Sequence, residues 1–296
     1  MDTQTIIEKI MQATVLEEVL DIHHISKEYK HLALLVHPDT CSLPLANDAT
    51  VKLNILKDEF EKRRKNEVLE YFNDIGSCII KDKVIVQYGD MSMLQQSIDN
   101  YNKLMSLRDE ASLHFHKYLP KKMEIVGETL HITLEHRSVS LSCLTLSQDH
   151  VNWILSRMLE FTAWLESVGY VHCDLNPESI LVVPETHGII ISSFFYLTKS
   201  NHTLTNISDR YSFWYDPALL SSRKAKSAID VQLCKKIAIY LLGDPSGIGS
   251  SLMTTNNADF MRFVTSPSEE AFDTYESYRT MLKGNFDTKK YYPLYI

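Results

Sequence analysis

Residues 168–183 read VGYVHCDLNPESILVV. Gly169 opens the stretch, the run His172–Ser179 is polar and interrupted by Pro177, and Ile180–Val183 is an apolar run of strand length. Immediately upstream, Val151, Ile154, Leu155, Met158, Leu165 and Val168 recur at helical spacing, with Ser147 placed to cap the start and Gly169 to end the helix. Immediately downstream, GIIISSFFY (188–196) reads as a second strand. The local order is therefore helix, loop, strand, turn, strand. Further on, Ile229, Leu233, Ile237 and Leu241 recur every four residues, as a buried helix requires.

Working outward toward the N-terminus, CIIKDKVIVQY (78–88) and MEIVGETLHITLEHR (123–137) read as short strands, and the β texture begins near Asn73. Met1 to about Tyr71 reads as helix throughout; it holds no glycine, and its prolines are Pro38 and Pro44. Within it, Tyr29, Leu32, Ala33 and Val36 line one face of a helix that stops at His37-Pro38-Asp39, because proline disfavours helix in the residue before it. A second amphipathic helix, from about Ala46 to Lys65, carries Val51, Leu53, Leu56 and Phe60, so the pair can close as an antiparallel hairpin with His37-Pro38-Asp39 at its tip. The Ser/Thr-rich stretch 198–212 is expected to be a long exposed loop.

With 44% hydrophobic and 23% charged residues over 296 positions, disorder and collagen are excluded. The formal net charge of −8 has the wrong sign for a nucleic-acid scaffold. The basic run Lys62–Lys65 has acidic neighbours Asp58, Glu59, Glu61 and Glu67, so it is expected to be the solvated face of a fourth helix. Cys41, Cys78, Cys143, Cys173 and Cys234 lie far apart and form no CxxC pair, which fits reduced thiols. No apolar run is long enough to cross a bilayer, and MDTQTIIEKI lacks the features of a signal peptide, so a cytoplasmic location and no membrane partner are expected. His114 and His116, two apart, and the adjacent His23 and His24 diverge on a helix; no metal site is expected of them, only surface or satisfied histidines.

The N-terminal segment resembles a J-domain, the module of DnaJ-type co-chaperones, over about residues 14–70. LEEVLDI (16–22) stands where that family's first helix lies, ISKEYKHLALLVHPD (25–39) matches its second helix and loop, and TVKLNILKDEF (50–60) its third. The resemblance implies that His37, Pro38 and Asp39 engage a DnaK-type chaperone and trigger its ATP hydrolysis, with Lys27 and Lys30 supplying steering charge. Leu35 stands where a lysine is common, and neither a glycine-rich linker nor a cysteine-repeat region follows.

The remainder resembles a protein kinase. VGYVHCDLNPESILVV is similar to the catalytic loop, WYDPALL (214–220) to the Ala-Pro-Glu segment, and AIDVQLCKKIAIYLL (228–242) to the buried helix after it, with Asp230 at the position that braces the loop backbone. Asp174 stands at the catalytic aspartate after His172, and Cys173 replaces the arginine between them. Ser179 stands at the metal-binding asparagine, Ser193-Phe194-Phe195 at Asp-Phe-Gly, Gln87 of VIVQY at the phosphate lysine, and Glu110 of EASLHFHKYLP at its ion-pair partner. No glycine-rich phosphate loop precedes this strand.

These substitutions remove the charges and metal ligands that phosphoryl transfer needs, which implies a pseudokinase with no cofactor. The expected architecture is α+β: a J-like helical domain over 1–70, then a bilobal kinase-like domain over 71–296, with a reduced N-lobe at about 71–138 and a C-lobe at about 139–296. The expected function is a non-catalytic co-chaperone or adaptor that joins a DnaK-type chaperone to a protein client. Two alternatives stay open. One is a divergent phosphotransferase using Asp174, with ATP and magnesium held by carboxylates such as Asp209 or Glu185; the other is a structural or inhibitory protein that occupies a chaperone without stimulating it.

Overall fold

Ile6, Ile7 and Ile10 put an apolar stripe on α1 (Thr3–Gln12), which begins at Asp2 because its carboxylate accepts the Thr5 N–H at 2.8 Å. Two longer helices, α2 (Ile25–Val36) and α3 (Ala46–Asn66), cover that stripe with buried Val36, Ala49, Leu53 and Leu56. Tyr29 meets Asn54 and Lys57 while Val36 meets Thr50, so residue numbers run in opposite senses and α2 and α3 are antiparallel. The apolar face of α3 differs from the expected one: Val51 is 51% exposed, and Ala49 takes its place one turn before Leu53. Of the expected first helix over 16–22, the described residues 16–20 form a 3-10 turn over Leu16–Glu18, where the Glu18 carboxylate turns back onto the Thr14 and Val15 N–H groups, and residues 21 and 22 lie outside the described set. Lys62–Lys65 continue α3 rather than forming a fourth helix, since no breaker interrupts the segment before Asn66.

The computed structural model describes residues 2–20, 25–66, 68–287, 292 and 294, with the side chains of 25–27, 61–66 and 68 excepted. His23, His24 and the side chain of Lys27 lie outside this set. The chain divides into two compact units, Met1–Val68 and Leu69–Leu294.

In the second unit the expected helix gives way to strand β1 (Val68–Phe72), with Tyr71 buried on it. Next come β2 (Ser77–Lys81), β3 (Val84–Gln87), α4 (Met91–Met105), α5 (Glu110–Phe115), β4 (Lys122–Val126) and β5 (Thr129–Thr133). The strands form one sheet in the order β1-β2-β3-β5-β4, with β2–β3, β3–β5 and β4–β5 antiparallel. Alternation sends Cys78, Ile80, Ile85, Gln87, Leu130 and Ile132 to the buried face.

The helical part that follows contains β6 (Val139–Ser140), α6 (Gln148–Ser167), β7 (Tyr170–Val171), β8 (Ile180–Val183), β9 (Gly188–Ile191) and β10 (Thr198–Lys199). Four helices complete it: α7 (Pro217–Leu220), α8 (Ser227–Leu241), α9 (Ala258–Thr265) and α10 (Ala271–Asn285). Strands β6, β8 and β9 form a small antiparallel sheet, β7 pairs with β10, and α6 packs against both α8 and α10. Gly169 ends α6 in the left-handed region at φ +77°, where only glycine is unstrained. Residues 198–212 are less open than expected: Thr203 bridges to Lys224, and Ser208 and Tyr211 are buried. At the far end, Leu294 is buried and the Tyr292 carbonyl meets His187. The protein is thus α+β, with a helical N-terminal region and antiparallel sheets. Among the described residues, no helix is long and apolar enough to cross a membrane.

Leu53→Ala should lower the stability of the Met1–Val68 unit by about 2–4 kcal/mol through cavity formation, whereas Val51→Ala should cost under about 0.5 kcal/mol. Native-state hydrogen exchange of the α1–α3 amides in the full chain checks both.

Candidate functional site

The loop between β7 and β8 is built around one carboxylate. Asp230, on the first turn of α8 and wholly buried, accepts the backbone N–H groups of His172 at 2.7 Å and Cys173 at 2.8 Å. From the other side, Tyr215 donates its hydroxyl to the Cys173 carbonyl at 2.9 Å. Held on both faces, Cys173 adopts φ +69°, a conformation a non-glycine residue enters only under constraint. The His172 ring is then fixed end to end: Nε2 donates to the Ser193 carbonyl at 2.8 Å and Nδ1 accepts the Asp174 N–H at 3.3 Å. Burial pushes its pKa down to about 4.

Asp174 does not face solvent. Its carboxylate accepts from Asn176 Nδ2 at 2.9 Å and is 3% exposed. Burial pushes its pKa well above the usual carboxylate range, the nearby Asp74, Glu178 and Asp230 carboxylates push the same way, and the Asn176 bond opposes them. Asn176 organises the turn: its Oδ1 accepts the N–H groups of Glu178 at 3.0 Å and Ser179 at 2.8 Å. The Ser179 hydroxyl accepts from the Asn176 N–H and donates to the Asn176 carbonyl, both at 2.9 Å, so it closes the turn and turns no oxygen outward. Sequence reading passed over Asn176, although Asn-Pro is a turn signal in its own right.

In the five-stranded sheet, one asparagine organises the turn that joins β1 to β2. In the turn between β1 and β2, Asn73 Oδ1 accepts the N–H groups of Ile75 at 3.0 Å and Gly76 at 3.1 Å, and Gln87 Nε2 donates to the same oxygen at 3.2 Å. The Ile75 and Gly76 N–H groups are thereby consumed within the turn. A side chain on Gly76 would meet the Tyr88 carbonyl at 2.0 Å, which keeps this turn tight. Next to Asn73, Asp74 accepts the N–H groups of Asp209 at 3.0 Å and Arg210 at 3.2 Å. The Arg210 guanidinium in turn reaches the Phe72 carbonyl and lies 3.5 Å from the buried Glu178, whose carboxylate also takes the Tyr211 hydroxyl at 2.8 Å. Tyr71 fills the space beneath β1, interacting with Cys78 and Ser192.

Gln87 and Glu110 are not brought together. Gln87 is bonded to Asn73, whereas Glu110 is exposed on the first turn of α5. The helix directly after β3 is α4, and it contacts the Ser193–Phe195 segment: Asn100 and Gln96 donate to the carbonyls of Phe194 and Phe195, and Ser97 Oγ accepts the Phe194 N–H at 3.0 Å. Phe194 and Phe195 are buried, Phe194 between Tyr101 and His172, and Ser193 contributes its carbonyl to His172. The sequence reading assigned no helix to Met91–Met105, and the polar residues of α4 are spent on the backbone of Phe194 and Phe195, a use that no side-chain pattern announces. His116 is also not satisfied as expected: its Nε2 is buried with no hydrogen-bond partner.

In the N-terminal unit, His37, Pro38 and Asp39 are all exposed at the α2–α3 turn. His37 Nδ1 accepts the Asp39 N–H at 3.2 Å, which turns Nε2 outward as the ring donor, and the His37 carbonyl accepts from Thr40 and Cys41 at 2.9 and 2.8 Å. The last carbonyls of α2 are capped by hydroxyls, Leu34 by Thr40 at 2.6 Å and Val36 by Thr50 at 2.9 Å. Lys30 is exposed on α2, while Leu35 packs against the core. Among the described residues, no three His, Cys, Asp or Glu side chains are placed to share a metal ion. No protein-family model matches the chain.

Asp230 and His172 set opposing pH dependences. Burial raises Asp230 from 3.8 to about 7, so the folded state binds its proton first and stability from this group rises as pH falls from 7 to 4. His172 is depressed from 6.5 to about 4, so the unfolded state binds its proton first and stability is lost over nearly the same interval. Relative to the wild type, Asp230→Asn should lose stability, and His172→Gln should gain it, by up to about 1.4 kcal/mol per pH unit as pH falls through this window. Urea denaturation at several pH values checks the two slopes.

Proposed function

We propose that this chain is a non-catalytic adaptor in which a J-domain-like helical unit engages a DnaK-type chaperone and a protein-kinase-like body carries a client protein. The observation that carries the proposal is the His37-Pro38-Asp39 turn, exposed between two antiparallel helices with its backbone fixed by its own hydrogen bonds. A rigid exposed turn loses little conformational entropy on docking, and the exposed Lys30 on α2 suits an acidic partner surface. Both units belong to one chain, so a client held by one meets a chaperone held by the other without a second diffusional search.

The kinase-like reading of residues 69–294, with the five-stranded sheet as a reduced upper lobe, rests on the order of elements and on Asp230 bracing the His172–Asp174 loop. Three features support a body without phosphotransfer. The donors of the β1–β2 turn are taken by Asn73, Gln87 is neutral where a phosphate would need a cation, and Ser179 is spent on closing its own loop. Asp174, buried and pushed toward its protonated form, is poorly suited to act as a base. No resident cofactor is proposed, and a cytoplasmic location agrees with the chemistry of a chaperone partner.

Single-turnover ATP hydrolysis by a DnaK-type chaperone should accelerate when this protein is added, and His37→Gln should abolish the acceleration without changing the melting temperature, because His37 is exposed. Binding without acceleration would instead favour a protein that occupies the chaperone. In a second measurement, ATP should leave the melting temperature unchanged with or without magnesium. A rise that requires both would restore the phosphotransferase reading through Asp174.

A further inference from the structure

The first N–H groups of α10 are capped by side chains from two other helices rather than by its own residues. Glu166, near the end of α6, accepts the Phe272 N–H on Oε2 at 2.9 Å, and Ser227, the first residue of α8, accepts the Ala271 N–H on Oγ at 3.1 Å. Glu270, which precedes α10, makes no such cap with its side chain. It joins the other two instead: the Ser227 hydroxyl lies 2.5 Å from Glu166 Oε1 and 2.5 Å from Glu270 Oε2.

This arrangement requires an extra proton. A serine oxygen carries one hydrogen and accepts through two lone pairs. With one lone pair taken by Ala271, the hydroxyl donates to one carboxyl group and accepts from the other, which must then be protonated. Two ionised carboxylates at this spacing would repel each other. Glu166 is the better anion, because it also receives a backbone N–H at the positive end of α10. The proton therefore belongs on Glu270 Oε2. Among the charged groups around it, Lys226 favours an ionised Glu270, Asp273 lies on the first turn of α10, Glu269 faces Lys235, and Asp230 is turned to His172 and Cys173.

We infer that Glu166, Ser227 and Glu270 form a proton-dependent clamp on the start of α10, closed while Glu270 donates to Ser227 and Ser227 donates to Glu166, and released when that proton is lost. The titration of the two carboxyls runs the same way. At Glu270 the Ser227 bond pulls the pKa down, but Glu166, as hydrogen-bond partner and as charge, outweighs it together with burial and raises it. At Glu166 burial pushes the pKa up, but the bonds to Ser227, Glu270 and the Phe272 and Ala271 N–H groups hold it below its ordinary value. The folded chain thus binds the Glu270 proton more tightly than the unfolded chain does. The contribution of the clamp is full at low pH and is lost as pH rises through the folded-state value of Glu270. The clamp lies wholly within the second unit and is independent of chaperone recruitment.

Scanning calorimetry of the full chain, comparing wild type, Glu270→Gln and Glu269→Gln from about pH 4.5 to 8, tests the inference. Glu270 is exposed, so its exchange leaves the core untouched, and Glu270→Gln supplies an N–H donor that no pH removes. Glu270→Gln should melt with the wild type at about pH 4.5 and about 2 °C or more above it at about pH 8. At the higher pH its Ala271 and Phe272 amides should exchange about threefold or more slowly than those of the wild type, a comparison at one pH in which the intrinsic exchange rate cancels. Glu269→Gln, which removes a neighbouring charge outside the clamp, should show no such growing difference. An offset for Glu270→Gln that is the same at both pH values would overturn the inference, as would an equal gain in Glu269→Gln or unchanged exchange at the start of α10.

Discussion

A buried carboxylate accepting two adjacent backbone N–H groups is the constraint on which the second unit turns. Removing Asp230 from water is costly, and the cost is partly offset because each carboxylate oxygen receives a hydrogen bond from the chain it organises, at 2.7 and 2.8 Å. The bond pair couples the first turn of α8 to the segment after β7. It thereby sets the left-handed backbone of Cys173, the direction of the His172 ring and, through the Ser193 carbonyl, the path of the chain after β9. Phe194 and Phe195 then fall under α4, whose Gln96, Ser97 and Asn100 close the contact. One ionisable side chain thus links α8, two loops and α4.

The same region is closed by hydrogen bonds within its own loops. Asn176 and Ser179 exchange hydrogen bonds that close the turn, and Asn73 does the same for the turn between β1 and β2. The Ile75, Gly76 and Gln87 donors and the Ser179 hydroxyl are thereby engaged within the protein. Asp74 and Arg210 then tie the sheet to the chain before α7 through polar contacts. The helical N-terminal unit follows the opposite design. Its core is apolar, and its polar turn at His37–Asp39 satisfies its own backbone while leaving the side chains exposed.

Much of the secondary structure was legible because each element announces itself by periodicity over its own length. The antiparallel α2–α3 pair, the β2–β3 and β4–β5 hairpins, α6 and α8 all follow apolar patterns of 3.6 or two residues. Errors arose where a local pattern competes with a tertiary one. Val51 matches a helical repeat, but the angle at which α3 meets α1 and α2 selects Ala49 and Leu53 instead. Tyr71 reads as the end of a helix, yet pairing with β2 draws it into a strand. Glu110 was placed opposite Gln87 by the resemblance of EASLHFHKYLP to a kinase helix, whereas the helix that follows β3 along the chain is α4.

The sequence by itself determined the α+β class, the largely helical character of the described residues before β1, the exposed His37-Pro38-Asp39 turn and the neutral side chains at Gln87, Ser179 and Ser193. These follow from residue type and near-neighbour spacing, which are written along the chain. Only the tertiary structure decided that Asp174 is buried and bonded to Asn176, that Asn73 takes the Ile75 and Gly76 donors of its turn, and that His116 Nε2 is buried without a hydrogen-bond partner. Those properties depend on which distant groups share a small volume, and hence on desolvation and hydrogen-bond geometry that no local pattern encodes.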